Sequence, residues 1–450
     1  MTAFSMILAV AVALSVLLPQ SAETSSTNAS RVAEITIRHM THSAVLLAMI
    51  NGRQHHVRRN LVGATTSAPV SSGYYLANTD YYARLTVGSG RGRRDFYFLM
   101  DTGSDLTWLQ CQPCKRCYYQ GLDEPVFDPS LSPTLAAVDG RSPLCARLPV
   151  IFQRKSASTP CKYKLVYADG RFTSGKLVLD TIGMASGQSF PGVAFGCSNK
   201  NDEEPNPTAG VLGLGRSYFG LSFQLHRQQA AGLANILSYC FPAKYTDDTS
   251  TLTFGASPIP PNTVFTPLIA NPARTELFYY IQLVGISVGG QPLVLPRTLF
   301  DLNPNTGQGG TILDTGTTIS EIPEDAYTPL LATLTNTISA HAPQLVPDRP
   351  YPSYNLEECY HLQYGVDKDQ VFKGIPSVAF LFASGAQLEV PPDSVLIHVA
   401  QPRRGRDKRL CISFAKADDT RTTIGNIHQQ QVRITIDIEQ NRVGLTPNAC

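Results

Sequence analysis

Asp-Thr-Gly occurs twice in the chain, at 101–103 and 314–316. Each copy ends an apolar run, FYFLM before Asp101 and TIL before Asp314. A carboxylate at the end of a greasy strand is held rigidly and solvated poorly, and the glycine beside it lets another backbone come close. An apolar pair followed by glycine recurs at Val211–Gly213 and, less perfectly, at Thr423–Gly425. Asp101 to Gly213 spans 112 residues and Asp314 to Gly425 spans 111. One three-letter match is weak, whereas two matches at nearly equal internal spacing point to a duplicated lobe. If each lobe presents one aspartate at the interface, the two carboxylates cannot both ionise easily and share a proton. One group then accepts a proton from water while the other donates to a carbonyl oxygen. Thr102, Ser104, Thr315 and Thr317 supply hydroxyls placed to orient the carboxylates, and Gly103 and Gly316 supply the close turns. An aspartate at a strand end commonly serves only as a turn former, but that role leaves the duplication without a cause.

The elements that must position this pair are mostly strands. The chain has 450 residues, 43% of them hydrophobic, with 34 glycines and 32 prolines, and the composition predicts an all-β protein rich in turns. The 37 basic and 35 acidic residues nearly cancel, which argues against a whole-surface nucleic-acid binder. YYARLTVGSG with RDFYFLMDTG, and CKYKLVYADG with GKLVLDTIG, read as hairpins; FYYIQLVGISVGG and VRITIDIEQNRVGLTP read the same way. Helical patterns are expected over about 218–238 and 324–339, the second opened by Glu324 and Asp325. A proline-rich stretch at 256–267 is the expected linker between an N-terminal lobe, 73–257, and a C-terminal lobe, 258–450.

The start of the chain reads differently. Met6–Leu18 is short and apolar, and small residues follow, so 1–22 is expected to be a secretory signal; the competing reading is a buried helix or an anchor. Residues 23–72 are mixed and basic, then rich in Ser, Thr, Ala and Gly, as in a pro-segment with a flexible exit, Arg58 and Arg59 being a candidate processing site. A disordered arm is the alternative. Asn28 is the single glycosylation acceptor, since Pro207 blocks Asn206. No later segment has the roughly 18 apolar residues of a membrane span. The ten cysteines (Cys111, Cys114, Cys117, Cys145, Cys161, Cys197, Cys240, Cys359, Cys411, Cys450) are an even set suited to disulfides in an oxidising compartment. The CQPCKRC run also has metal-ligand spacing, but no nearby paired Cys or His completes a four-ligand set.

DTGSDLTW, DTGTT, GVLGLGR and TTIGN resemble the pepsin-type aspartic proteases. The cysteine-rich insert after the first motif, with FGC, LSYC and the CY and LCISFA pair, is similar to their nepenthesin-like plant branch. The resemblance covers residues 74–450 and implies a bilobal β-barrel fold with a few short helices and a cleft between the lobes. It makes Asp101 and Asp314 the catalytic pair activating a water. It places Tyr167, with Asp169 and Gly170, on a flap hairpin over the substrate, and Trp108 against Tyr167 with its indole N–H on the hydroxyl; ordinary core filling is the other role open to Trp108. This chain departs from the branch in three places. Ala168 and Arg171 replace the usual flap glycine and serine, so Ala168 strains the turn if positive φ is needed there, and Arg171 sets a cation near the cleft. Two of the branch's twelve cysteines are missing, near Gly140 and Ser156, which leaves Cys145 and Cys161 to pair with each other. GSGRGRRDF replaces the usual turn before the first motif, its arginines decorating a surface hairpin. The basic run at 402–409 reads as a solvated loop, and His428 as packing or surface.

The implied protein is a secreted proenzyme-type aspartic endopeptidase, a monomer acting at acidic pH on proteins or peptides with bulky apolar residues at the scissile bond. It needs no metal or other cofactor and is destined for the apoplast or the vacuole. A rival from another class is a non-proteolytic relative that binds and inhibits cell-wall polysaccharide hydrolases.

Overall fold

A computed structural model describes residues 64–73, 80–121, 124–148, 160–202, 208–228, 232–243, 249–273, 277–362, 365–399 and 408–450. The chain divides into the unit Met1–Leu61, which lies outside the described residues, and Val62–Cys450, to which everything below refers. The expected signal segment, Asn28, Arg58, Arg59, Ser156 and most of the basic run at 402–409 also lie outside the described residues.

The fold is strand-rich. One extended sheet of 19 strands runs through both halves, and two four-stranded sheets flank it in the second half. The halves are sewn together by an antiparallel ribbon of six strands. Thr65–Ser72 pairs with Ser250–Gly255, which pairs with Ile236–Cys240. Ile236–Cys240 then joins Val432–Asp437 from the other half, followed by Arg442–Pro447 and Val264–Ile269. The Cys240–Cys450 disulfide spans the same seam. The other disulfides are Cys111–Cys197, Cys114–Cys117, Cys145–Cys161 and Cys359–Cys411, so the two cysteines left by the missing pair are bonded to each other.

Local sequence explains the strand that matters most. Arg94–Asp101 alternates, with Phe96, Phe98 and Met100 fully buried and Tyr97 and Leu99 half-buried. Each of those buried side chains stabilises the fold by about 1.5–3 kcal/mol, which pins the register that ends at Asp101. The strand pairs with Tyr81–Val87 as the expected hairpin, closed by a turn at Gly90–Gly92, with Arg91, Arg93 and Arg94 exposed.

Three local expectations need correction. The flexible exit is in part a strand: Thr66, Ala68 and Val70 of Thr65–Ser72 are buried in period two. Small residues do not forbid a strand when its neighbours supply both ladders. The helix expected over 218–238 is confined to Leu221–Arg227, and Ile236–Cys240 is a central strand. Gly220 caps the helix start, Gly232, at φ +61°, lies in the break before the strand, and the Ile-Leu-Ser-Tyr-Cys run pairs on both edges. The linker's last residues, from Val264, already belong to a ribbon strand. The second helix runs Glu324–His341 and packs Ala326, Tyr327, Leu330, Leu334 and Ile338 inward.

Candidate active site

The two Asp-Thr-Gly segments sit on the same strand arrangement. Arg94–Asp101 lies parallel to Gly210–Gly213, with Asp101 opposite Gly213. Trp108–Gln110 runs antiparallel to that strand and parallel to Ser189–Asn201. In the second half Thr311–Leu313 lies parallel to Thr422–Ile424, and Ser320–Ile322 runs antiparallel to that strand and parallel to Phe414–Lys416. Both aspartates therefore leave the end of a central strand at a point where the chain must turn.

Each carboxylate is held by its own turn. Asp101 Oδ1 accepts from the Gly103 N–H at 2.8 Å, and Asp101 Oδ2 accepts from the Ser104 hydroxyl. Asp314 Oδ1 accepts from the Gly316 N–H at 2.9 Å, and Asp314 Oδ2 from the Thr317 hydroxyl at 2.8 Å. The two turns also interlock. A Cβ on Gly103 would lie 2.7 Å from both carboxylate oxygens of Asp314, and one on Gly316 would collide with Asp101 Oδ1. Each glycine is thus the floor under the other half's carboxylate, and any side chain there would drive the pair apart. Burial, followed by the charge of Asp314, raises the Asp101 pKa from the ordinary 3.8 to about 7, against the lowering pull of Ser104 and Gly103.

Thr102 and Thr315 do something other than orient the carboxylates. The Thr102 N–H donates to Thr315 Oγ1 at 3.0 Å and the Thr315 N–H to Thr102 Oγ1 at 2.9 Å. The Thr102 hydroxyl donates to Leu313 O at 3.0 Å and that of Thr315 to Met100 O at 2.9 Å. Both side chains are fully buried. The expectation that all four hydroxyls face the carboxylates is therefore corrected: Ser104 and Thr317 do, whereas Thr102 and Thr315 lock one half's backbone to the other's. The chain turns beyond each aspartate and is no longer a strand, so residues one and three places on face different partners and take different jobs.

Tyr167 stands at the tip of the hairpin Lys162–Val166 with Phe172–Gly183. The Trp108 indole N–H donates to its hydroxyl at 2.7 Å. Burial, then the charge of Asp101, raises the Tyr167 pKa well above its ordinary value, so the hydroxyl stays protonated beside the carboxyl pair. Trp108 is itself buried among Leu106, Tyr118, Tyr163 and Val211, so its core role and its flap-supporting role coincide. The feared strain at Ala168 is absent: the hairpin's positive φ falls on Gly170, at +86°, where a Cβ would meet nothing. Arg171 is engaged on the hairpin itself, its Nε 3.1 Å from Asp169 Oδ2, while its backbone N–H donates to Asp169 Oδ1 at 2.9 Å.

Several supports were not singled out from the sequence. Half-buried Asp105 accepts from the Ser217 N–H at 3.0 Å and from the Ser217 hydroxyl, and burial raises its pKa to about 6. Asp80 accepts from Thr318 Oγ1 at 2.9 Å. Gln429 Nε2 donates to Ile424 O at 2.7 Å while its Oε1 accepts from the Tyr239 hydroxyl at 2.7 Å. Of the two roles the sequence leaves open to His428, packing and surface, it takes the first: it is buried. It stacks on Phe414 at 4.3 Å and joins Ser320 Oγ through Nδ1 at 2.6 Å and Ser413 Oγ through Nε2 at 2.8 Å. Burial lowers its pKa to about 3, so it is a neutral structural imidazole. Asp105 lies inside the quoted first motif and gave a signal by its type; the others depend on contacts between distant residues.

The family models described as xylanase inhibitor N-terminal and xylanase inhibitor C-terminal match residues 81–256 and 278–447. The Arabidopsis thaliana protein named aspartic protease in guard cell 2 is 34% identical over 381 residues, covering 85% of this chain and 75% of that one. The chain belongs to the plant pepsin-like aspartic protease family. Within that family, aspartic proteinase nepenthesin-2 from Nepenthes gracilis is 30% identical, with 86% of this chain and 81% of that one covered. Basic 7S globulin from soybean shares the fold at a TM-score of 0.62 and 17% identity, over 85% of this chain and 96% of that structure. Among the described residues no cluster of three or more His, Cys, Asp or Glu is arranged to hold a metal ion, and no helix is long and apolar enough to cross a membrane.

Proposed function

We propose that the chain is an aspartic endopeptidase that hydrolyses peptide bonds through a water held between Asp101 and Asp314. The observation that carries this reading is the interlocked pair itself, two carboxyls each seated on the other half's glycine, with one proton retained to about pH 7. Carboxyl pairs sharing a proton are the general device of aspartic proteases. The ionised member of the pair takes a proton from water as its oxygen attacks the carbonyl carbon, and the protonated member donates to the carbonyl oxygen. Collapse of the resulting diol breaks the C–N bond, and the departing nitrogen takes a proton from the pair. The proton belongs to the pair and not to one residue. The family membership and the relatives named as aspartic proteases support the same reading.

An extended peptide adds to the cleft as a strand does, with the Tyr167 hairpin above it. Both carboxyls come from one chain, so the site is complete in a monomer. Five disulfides favour an oxidising compartment and hence secretion, to the apoplast or the vacuole. Thr65–Ser72 is built into the ribbon that joins the halves, which supports a removable segment ending ahead of Thr65 and not at residue 72. A second reading, a binding protein that inhibits polysaccharide hydrolases, draws on the xylanase-inhibitor description of the family models. The complete hydrogen-bonding of both carboxyls favours the enzyme. Incubating the secreted protein with a denatured protein substrate at acid and neutral pH, beside an Asp101→Asn variant and a statine-type inhibitor, separates the two. Cleavage at acid pH abolished by both treatments supports the protease, and no cleavage after verified removal of the N-terminal segment supports the binding protein.

A further inference from the structure

Tyr218 follows the first glycine loop and is fixed to the wall that supports the flap. Its neighbour Ser217 is clamped to Asp105, four residues past Asp101. Its half-buried ring packs against the cluster containing Trp108 and Tyr167, and it meets Phe219 edge-on at 5.4 Å and Phe223 at 5.7 Å. Two guanidinium groups converge on this ring. Arg147, at the end of the short helix Pro143–Ala146, stands 4.3 Å from the ring centre. Arg227, the last residue of the helix Leu221–Arg227, stands 5.2 Å from it and 5.7 Å from that of Phe223.

Both arginines are exposed, and neither guanidinium has a carboxylate or a hydrogen-bond acceptor among the described residues. Stacking on an aromatic face fixes a guanidinium while leaving its N–H edge free. The two charges stand within about 10 Å of each other, inside a Debye length at ordinary salt, so each raises the other's energy. An anion accepting from either edge relieves that repulsion and meets donors already held in place. Tyr218 packs against the same cluster as Trp108 and Tyr167, which relates it to a peptide that lies under the Tyr167 hairpin and advances about 3.3 Å per residue.

We propose that Arg147 and Arg227, on the Tyr218 platform, form a substrate subsite for an acidic side chain, Asp or Glu, of a peptide lying along the first half of the cleft. The proposal rests on the endopeptidase reading. It is tested with matched peptides that differ only by Glu or Gln, the pair being moved through each position on either side of the scissile bond. At pH 5.5 a free glutamate, with a pKa of about 4.3, is mostly ionised. At one position kcat/KM is expected to favour Glu by about 5-fold, a ratio in keeping with an exposed charge contact. That ratio falls to near one in the Arg147→Gln/Arg227→Gln double variant. In an Arg147→Glu/Arg227→Glu variant, Lys at the same position overtakes Glu. A ratio near one at every position in the native chain overturns the proposal, as does a Glu preference that survives in the Gln double variant. If no peptide is cleaved, the endopeptidase reading fails separately, and the subsite is read by fluorescence anisotropy with the same peptides. Tighter binding of the Glu form, lost in the double variant, supports the subsite; equal binding of the two forms overturns it.

Discussion

The two Asp-Thr-Gly halves share a backbone and part company one side chain further out. Six residues past each aspartate the halves agree: Thr107 Oγ1 accepts from the Gly213 N–H at 3.1 Å, and Ser320 Oγ accepts from the Gly425 N–H at 3.0 Å. Four residues past, they invert. Asp105 accepts from Ser217, whereas Thr318 donates to Asp80 at 2.9 Å. Seven residues past, they diverge outright, since Trp108 is buried and supports the flap while Glu321 is exposed. Behind Ser320 the second half places the neutral His428 and Ser413, whose hydroxyl reaches Ser394 O at 2.5 Å. What is duplicated is the geometry that aims a carboxylate. The first half adds the Tyr167 hairpin and the tryptophan that donates to it, and the second adds a buried polar network around its loop.

The largest test of this comparison is the pair itself. Asp101→Asn and Asp314→Asn should each lower kcat by about 10³-fold or more, because each removes a partner in proton transfer. A variant of either that retained substantial turnover would break the symmetry of the halves. Next come Thr102→Val and Thr315→Val. Each strips a buried N–H of its acceptor and a carbonyl of its donor, so denaturant unfolding should show a loss of about 2–3 kcal/mol, alike for both. Unequal losses would show that one half carries the joint. Trp108→Phe keeps the ring but removes the donor to Tyr167, and kcat/KM should fall by about tenfold, the equivalent of one hydrogen bond.

The smallest effect separates the halves by pH. In the folded chain the carboxyl pair holds its proton to about pH 7 and Asp105 holds its own to about pH 6, where an unfolded carboxyl has released its proton. Their contribution is present below pH 4 and is lost as pH rises through those values. Folded His428 refuses a proton down to about pH 3, so its contribution is present above the ordinary histidine value and is lost on acidification. Relative to the native chain, Asp105→Asn should therefore make Tm at pH 7 minus Tm at pH 4 more positive, and His428→Gln should make it more negative. Each shift should be about 2 °C or more in differential scanning calorimetry. Shifts of the same sign would contradict the division of labour.

The sequence carried the pair, the duplicated spacing and the Tyr167–Trp108 contact because each rests on a local pattern or on residue type at a fixed offset. It also carried the strand-rich class, since alternation such as that before Asp101 is visible in one dimension. What it hid depends on direction and on distant partners. A threonine's identity does not say whether its hydroxyl faces a carboxylate or the opposite backbone, and Thr102 and Thr315 took the second course. The run at 236–240 joins a helical-looking stretch until its two strand partners, one of them nearly 200 residues away, are in place. Ala168 looked like a strained position only while the turn's positive φ was unassigned, and Gly170 holds it.

The measurement that bears most directly on the shared proton is kcat/KM for one neutral peptide between pH 3 and pH 8.5. The profile should lose about one decade per pH unit above about pH 7, as the free enzyme gives up the proton held by the carboxyl pair. A rate that stays level from pH 4 to pH 8.5 would contradict the account, because the pair would then be working without the proton that its geometry retains.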